Sequence, residues 1–164
     1  MSRPLDPITL SRLDTQGFDG VPAEALAEVA PWQRLAFFGC AGLAGLATIM
    51  ASPELLVVLA IIAAGAAAFP VHPFDLIYNH GIRHLRKTGP LPRRGVPARA
   101  ACGMGSLVLL GAAWLFASGY TMAGYFASGH LALIAGLVAT TDICVPSILF
   151  RRVFGPPLPR EAAS

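Results

Sequence analysis

The stretch HPFDLIYNHGIRHL, from His72 to Leu85, holds three of the chain's four histidines in a protein otherwise rich in alanine, leucine and glycine. On a helix His80 and His84 share a face, with their side chains about 6 Å apart, which is the spacing of two imidazole ligands to one metal ion. Asp75 lies five residues before His80 and points elsewhere, so no third ligand completes the set. The same imidazoles serve equally well as polar anchors of a helix at a membrane surface. His130 lies among apolar residues, where an ionisable group is costly and marks function by default. It is a haem-ligand candidate. A haem between two helices wants a second ligand at similar depth, and no other apolar stretch holds a histidine, so the expectation is a neutral ring bonded to Ser128, Thr48 or a carbonyl. The segment TTDIC sets Asp142 beside Cys144, while Cys102 opens the preceding apolar stretch. Two thiols beneath nearby arginines would be driven towards thiolate, the nucleophile of redox and sulfur chemistry. Cys40 reads as a small packing residue.

What must position these residues is membrane helix. Hydrophobic residues make up 55% of the chain and charged residues 13%, with mean hydropathy +0.62. Such values lie outside the range of soluble domains. Four apolar stretches are drawn, at about 35–50, 55–69, 100–117 and 122–143. Each approaches the length that ~30 Å of hydrocarbon requires, the second only with help from its flanks or a locally thinned bilayer. The fold expected is an all-α integral membrane protein of four transmembrane helices in two hairpins.

The charges are one-sided. All twelve basic residues precede the first stretch, fall between the second and third, or follow the fourth, and the two short connectors carry only Glu54. With an even number of spans these three segments share a side, and basic residues favour the cytoplasm. Both termini and the 71–99 loop are therefore placed in the cytoplasm of a bacterial inner membrane. Arg83, Arg86, Lys87, Arg93, Arg94, Arg99, Arg151 and Arg152 are assigned to anionic lipid headgroups. Nucleic acid is not expected as a partner, because these residues flank spans and lack interleaved aromatics. The five acidic residues before Trp32 argue against a cleaved leader.

Residues 1–31 read as a cytoplasmic arm with a brief helix that Pro22 opens and Pro31 ends. Within the loop, residues 73–87 form an amphipathic interfacial helix, with Phe74, Leu76, Ile77, Ile82 and Leu85 on the apolar side. TGPLPRRGVPAR then runs extended along the headgroups. Pro146 kinks the last helix before a tail at 151–164. Gly39, Gly42, Gly45, Gly103, Ser106, Gly111, Gly129 and Gly136 are small residues for tight packing within one bundle.

From Pro70 onward, HPFDLIYNHGIRHL, then PLPRRGVPARAACGMGSLVLLGAAWLFASGY, then the closing DICVPS resemble a bacterial membrane family, domain of unknown function 4395. The resemblance implies a small multi-span inner-membrane protein and supplies no reaction. The resemblance also implies a pair of nearby cysteines ending the last span, as in many family members. Here Cys144 matches the first and Ser147 stands at the second. The first functional expectation is a non-enzymatic accessory or scaffold subunit packed against a larger membrane complex, or a homo-oligomer, with bound lipid and no cofactor. A redox or sulfur-handling protein acting through Cys144 and Cys102, with Asp142 and His84 adjusting protonation, is the alternative. An oligomeric ion or small-solute transporter using Asp142 and His130 is a lesser one.

Overall fold

In a computed structural model, which describes residues 4–157, every regular element is helical. Arg3, Arg160 and the end of the expected tail lie outside the described residues. Helix α1 (Pro7–Leu13) runs into a wider turn over Asp14–Phe18 that breaks at Gly17. Then come α2 (Ala23–Ile49), α3 (Pro53–Ala68), α4 (Pro73–Ile77), a second wide turn (Tyr78–Ile82), α5 (Arg83–Arg86), α6 (Val96–Ala117), α7 (Thr121–Thr141) and α8 (Val145–Phe154).

Four of these make an antiparallel bundle, in which α2 packs on α3, α3 on α6, α6 on α7 and α7 back on α2. Its centre is small: Ala44, Ala47, Leu56, Leu59, Ala60, Leu109, Ala112 and Ala113 are buried together. Alanines let the backbones approach, and Ser106 donates its hydroxyl to the Ala60 carbonyl across that contact at 2.8 Å. Helices α6 and α7 are each long and apolar enough to cross a membrane. A third candidate is α3 taken with the helical run Pro73–Arg86, bent by 82° at the break between them.

Pro31 does not end the arm's helix; it sits inside α2. Leu26 and Val29 before it, and Ala36 after it, are buried along one face, so packing on both sides holds the helix through the missing hydrogen bond. The run from Pro73 to Arg86 is helical as expected and closes with Lys87 in the left-handed region. Pro146 starts a helix rather than kinking one, since it occupies the first turn of α8, where its lacking N–H costs nothing. The glycines divide. A side chain at Gly39, Gly103 or Gly124 would meet Phe74, Ala67 or Phe116, whereas Gly42, Gly45, Gly111 and Gly136 face open space. The small residues therefore serve internal contacts only in part.

Candidate functional site

The arm, α4, α5 and α8 gather at one end of the bundle, opposite the connectors at Ser52 and Gly119. Docking of the arm rests on residues far away in sequence. Arg12 donates to the Thr141 carbonyl at 2.8 Å, and Gln16, buried, donates to the Asp142 carbonyl at 2.8 Å. Arg151 donates to the Asp14 carbonyl at 3.1 Å and pairs with Asp19 at 2.9 Å. At Gly17 the arm's backbone presses against Gly95, where an added Cβ would stand 2.3 Å from the Gly17 oxygen.

Beneath this cover the 71–99 segment folds inward. His72 caps α4: Phe74 N–H donates to His72 Nδ1 at 3.2 Å, and the His72 N–H donates to Asp75 at 3.3 Å. Asp75 in turn receives both arms of Arg94, at 2.8 and 2.9 Å, with both side chains almost fully buried. Arg94 also lies over the Phe37 ring, and its N–H donates to the Pro70 carbonyl. A two-pronged buried pair of this kind is held by geometry as much as by charge. Tyr78, fully buried, stacks near Trp32 and meets Thr88 at 2.5 Å.

Against this floor lies an almost wholly apolar cavity of about 100 Å³. Phe37, Leu59, Leu109, Leu131, Val138 and Pro146 line it, and so do Cys40, Cys102, Cys144 and His72. All three of the chain's cysteines therefore face one space. They are free thiols. Because Phe74 N–H occupies His72 Nδ1, the ring proton sits on Nε2, which faces Cys40 Sγ at 3.8 Å. Burial, and then the Arg94 cation, push the His72 pKa down to about 4, so the ring is neutral at physiological pH. Cys144 begins α8, and Ser147 donates its hydroxyl to the Cys144 sulfur at 3.1 Å. Burial pushes the Cys144 thiol up, and the Ser147 hydroxyl works against that shift. Against the expectation of a thiolate at Cys144, burial is the larger influence there, and the nearby Arg94 is already paired with Asp75. Nearby on α2, Gln33 is buried with neither amide atom hydrogen-bonded to the described residues.

The other expected site residues go elsewhere. Asp142 ends α7 in the left-handed region and takes both prongs of Arg34, so its carboxylate ties α2 to α7 instead of tuning a thiol. His84 is exposed on α5 beside Arg83, and His80 bonds the Leu76 carbonyl of its own helix. Among the described residues no group of three or more His, Cys, Asp or Glu side chains is placed to hold a metal ion. His130 faces outward from α7, stacked on Phe126 with ring centroids 6.0 Å apart. Ser128 and Thr48 spend their hydroxyls on carbonyls of their own helices. Of the assigned headgroup residues, Arg94 is buried in the pair with Asp75, Arg99 caps the carbonyls of Ala67 and Ala68 at the end of α3, and Arg151 holds the arm. Arg86, Lys87, Arg93 and Arg152 are exposed, and Arg83 is partly so.

Sequence reasoning passed over Cys40, His72 and the Asp75–Arg94 pair. The signal for His72 was its place directly before Pro73, a helix-opening position where a side-chain acceptor caps the first turn. The buried pair, the cavity and the closing DICVPS segment all fall within residues 31–154, which match the model of a family described as domain of unknown function (DUF4395). The chain belongs to that family. No curated protein and no solved structure matches it.

Proposed function

We propose that this is a four-span bacterial inner-membrane protein whose thiol-lined cavity, at the cytoplasmic end, handles sulfur or redox equivalents of small apolar molecules. Four spans are supported by what the shorter candidates expose. Phe38, Leu46 and Ile49 on α2, and Val57, Val58 and Ile61 on α3, turn apolar side chains outward. The sixteen residues of α3 rise about 24 Å, a deficit against the ~30 Å hydrocarbon core that local thinning accommodates. Trp114 and Tyr120, 6.1 Å apart, suit the opposite interface. The outward Leu76, Ile77 and Leu85 beside Arg86 and Lys87 suit an interfacial helix.

The observation that carries the functional reading is the convergence of Cys40, Cys102 and Cys144 on one cavity with His72. In thiol exchange, the fraction of Cys144 present as thiolate, which the Ser147 hydroxyl stabilises, attacks the S–S bond of a donor disulfide; a new S–S bond forms as the old one breaks, and the leaving sulfur takes up the proton that Cys144 released. A second thiol then attacks the mixed disulfide, so that two protein thiols are oxidised and the donor is reduced. Because Ser147 stands where a second cysteine on α8 would, the resolving thiol in this reading comes from across the cavity, and Cys102, which lines it, is the candidate. The neutral His72, with its proton on Nε2, positions Cys40 rather than drawing a proton from it.

The test is mass spectrometry of natively expressed protein, acid-quenched and alkylated before and after exposure to a small apolar disulfide such as diethyl disulfide. A fraction of Cys144 and Cys102 held as mixed or internal disulfide, rising on exposure, is expected. Thiols that stay fully free throughout would overturn the reading. A second reading, an accessory subunit of a larger membrane complex, is favoured by the outward placement of His130 in mid-helix. Size exclusion of native protein in mild detergent with a full absorbance spectrum tests it, since companion polypeptides or pigment would co-elute.

A further inference from the structure

His130 is the tenth of the twenty-one residues of α7, so it sits at the middle of a helix long enough to cross the bilayer. Ionisable side chains at that depth almost always face a protein neighbour, because hydrocarbon offers no hydrogen bond. Here the interior is closed to it: Ser128 and Val138 take the inward positions of α7, and His130 points out.

The outward residues follow a rule. Phe126, His130, Leu133, Leu137 and Thr140 are all exposed, and their spacing alternates steps of four and three. That alternation is the seam of a left-handed helix pair, in which one polar residue fixes register and partner number. Gly136 flanks the seam, and a side chain there would meet nothing within 4 Å, which leaves room for a second backbone. The outward face of α6 repeats this spacing at Met104, Leu107, Gly111 and Trp114, so it is His130, an ionisable residue in mid-helix, that singles out α7.

We infer that α7 pairs in parallel with α7 of a second copy of this chain, His130 meeting its counterpart across a two-fold axis along the membrane normal. Copies inserted in one orientation bring the same residue to the same depth, as an isologous contact requires. A neutral imidazole carries one donor and one acceptor, so two of them share one hydrogen bond across the axis, one ring donating and the other accepting. Phe126, stacked on His130, fixes the ring's direction from the preceding turn.

The experiment is oxidative crosslinking of the full-length protein in vesicles, with Leu133→Cys on the seam and Leu107→Cys on the outward face of α6. Both positions are exposed, so neither change disturbs the bundle. Leu133→Cys is expected to give a disulfide-linked dimer as its main oxidised product, while Leu107→Cys and the unaltered protein do not. Light scattering in mild detergent should give twice the 17.1 kDa chain mass, with a shift to monomer in His130→Ala. A monomeric mass in detergent together with equal crosslinking at the two positions would overturn the inference. So would recovery of an unrelated polypeptide crosslinked to Leu133→Cys in place of a second copy.

Discussion

Two adjacent arginines show how one residue decides the character of the polar end. Arg93 is exposed, whereas Arg94 is buried against Asp75. Removing one member of such a pair strands the other charge, so Arg94→Leu should cost about 3–5 kcal/mol, read as a lowered thermal midpoint in detergent. Replacing both by leucine should recover part of that loss, though not the cap that Asp75 gives His72. His72 adds a pH dependence. Its pKa falls from 6.5 towards about 4 in the folded chain, with Arg94, Asp75 and Cys40 around it. Because the folded value lies below the unfolded one, this contribution is whole above pH 6.5 and drains away between there and pH 4. It amounts to about 3 kcal/mol at most. His72→Gln, which keeps an acceptor for the cap, should flatten the acid limb of a melting-temperature profile. Nothing in the sequence distinguishes Arg93 from Arg94, since both are ordinary loop arginines until the chain folds inward.

At the scale of elements, the helices were legible and their ends less so. Apolar length placed α6 and α7 to within a few residues, and the run from Pro73 to Arg86 follows its expected bounds. Pro31 misled because tertiary burial of Leu26, Val29 and Ala36 outweighs a local signal. The contact of Gly17 with Gly95 was illegible, being a meeting of two loops far apart in sequence. Among the described glycines it is also where an added Cβ would be most crowded: Gly95→Ala sets a methyl against the Gly17 carbonyl oxygen, part of a backbone that cannot rotate away. Overpacking of this kind costs about 1–3 kcal/mol, and limited proteolysis should find the arm cut earlier in that variant than in Gly42→Ala, whose Cβ meets nothing.

For the whole molecule, composition and charge suffice to mark a membrane chain, because bilayer thickness and the charge of its faces act on any sequence alike. The cavity escaped notice because its thiols come from three different elements, α2, α6 and the start of α8. Sequence spacing carries no record of such a meeting. If burial governs access, the small apolar reagent N-ethylmaleimide should label Cys144 faster than a charged methanethiosulfonate does. Deleting residues 4–18 should remove that selectivity by uncovering the start of α8. Equal rates for both reagents in the full-length protein would mean that the cavity is open to water.

The arm's hydrogen bonds also fix an order of events. Arg12 and Gln16 leave the ribosome early, yet their acceptors on Thr141 and Asp142 are made more than a hundred residues later. Leu13, Phe18 and Leu26 form a small apolar cluster of their own, so the arm can wait as a partly formed hook. Its docking is then a completion signal: the polar end closes only on chains whose last hairpin has already been translated and inserted. A nascent chain halted before Asp142 should keep its arm open to protease, and release of the full chain should protect it.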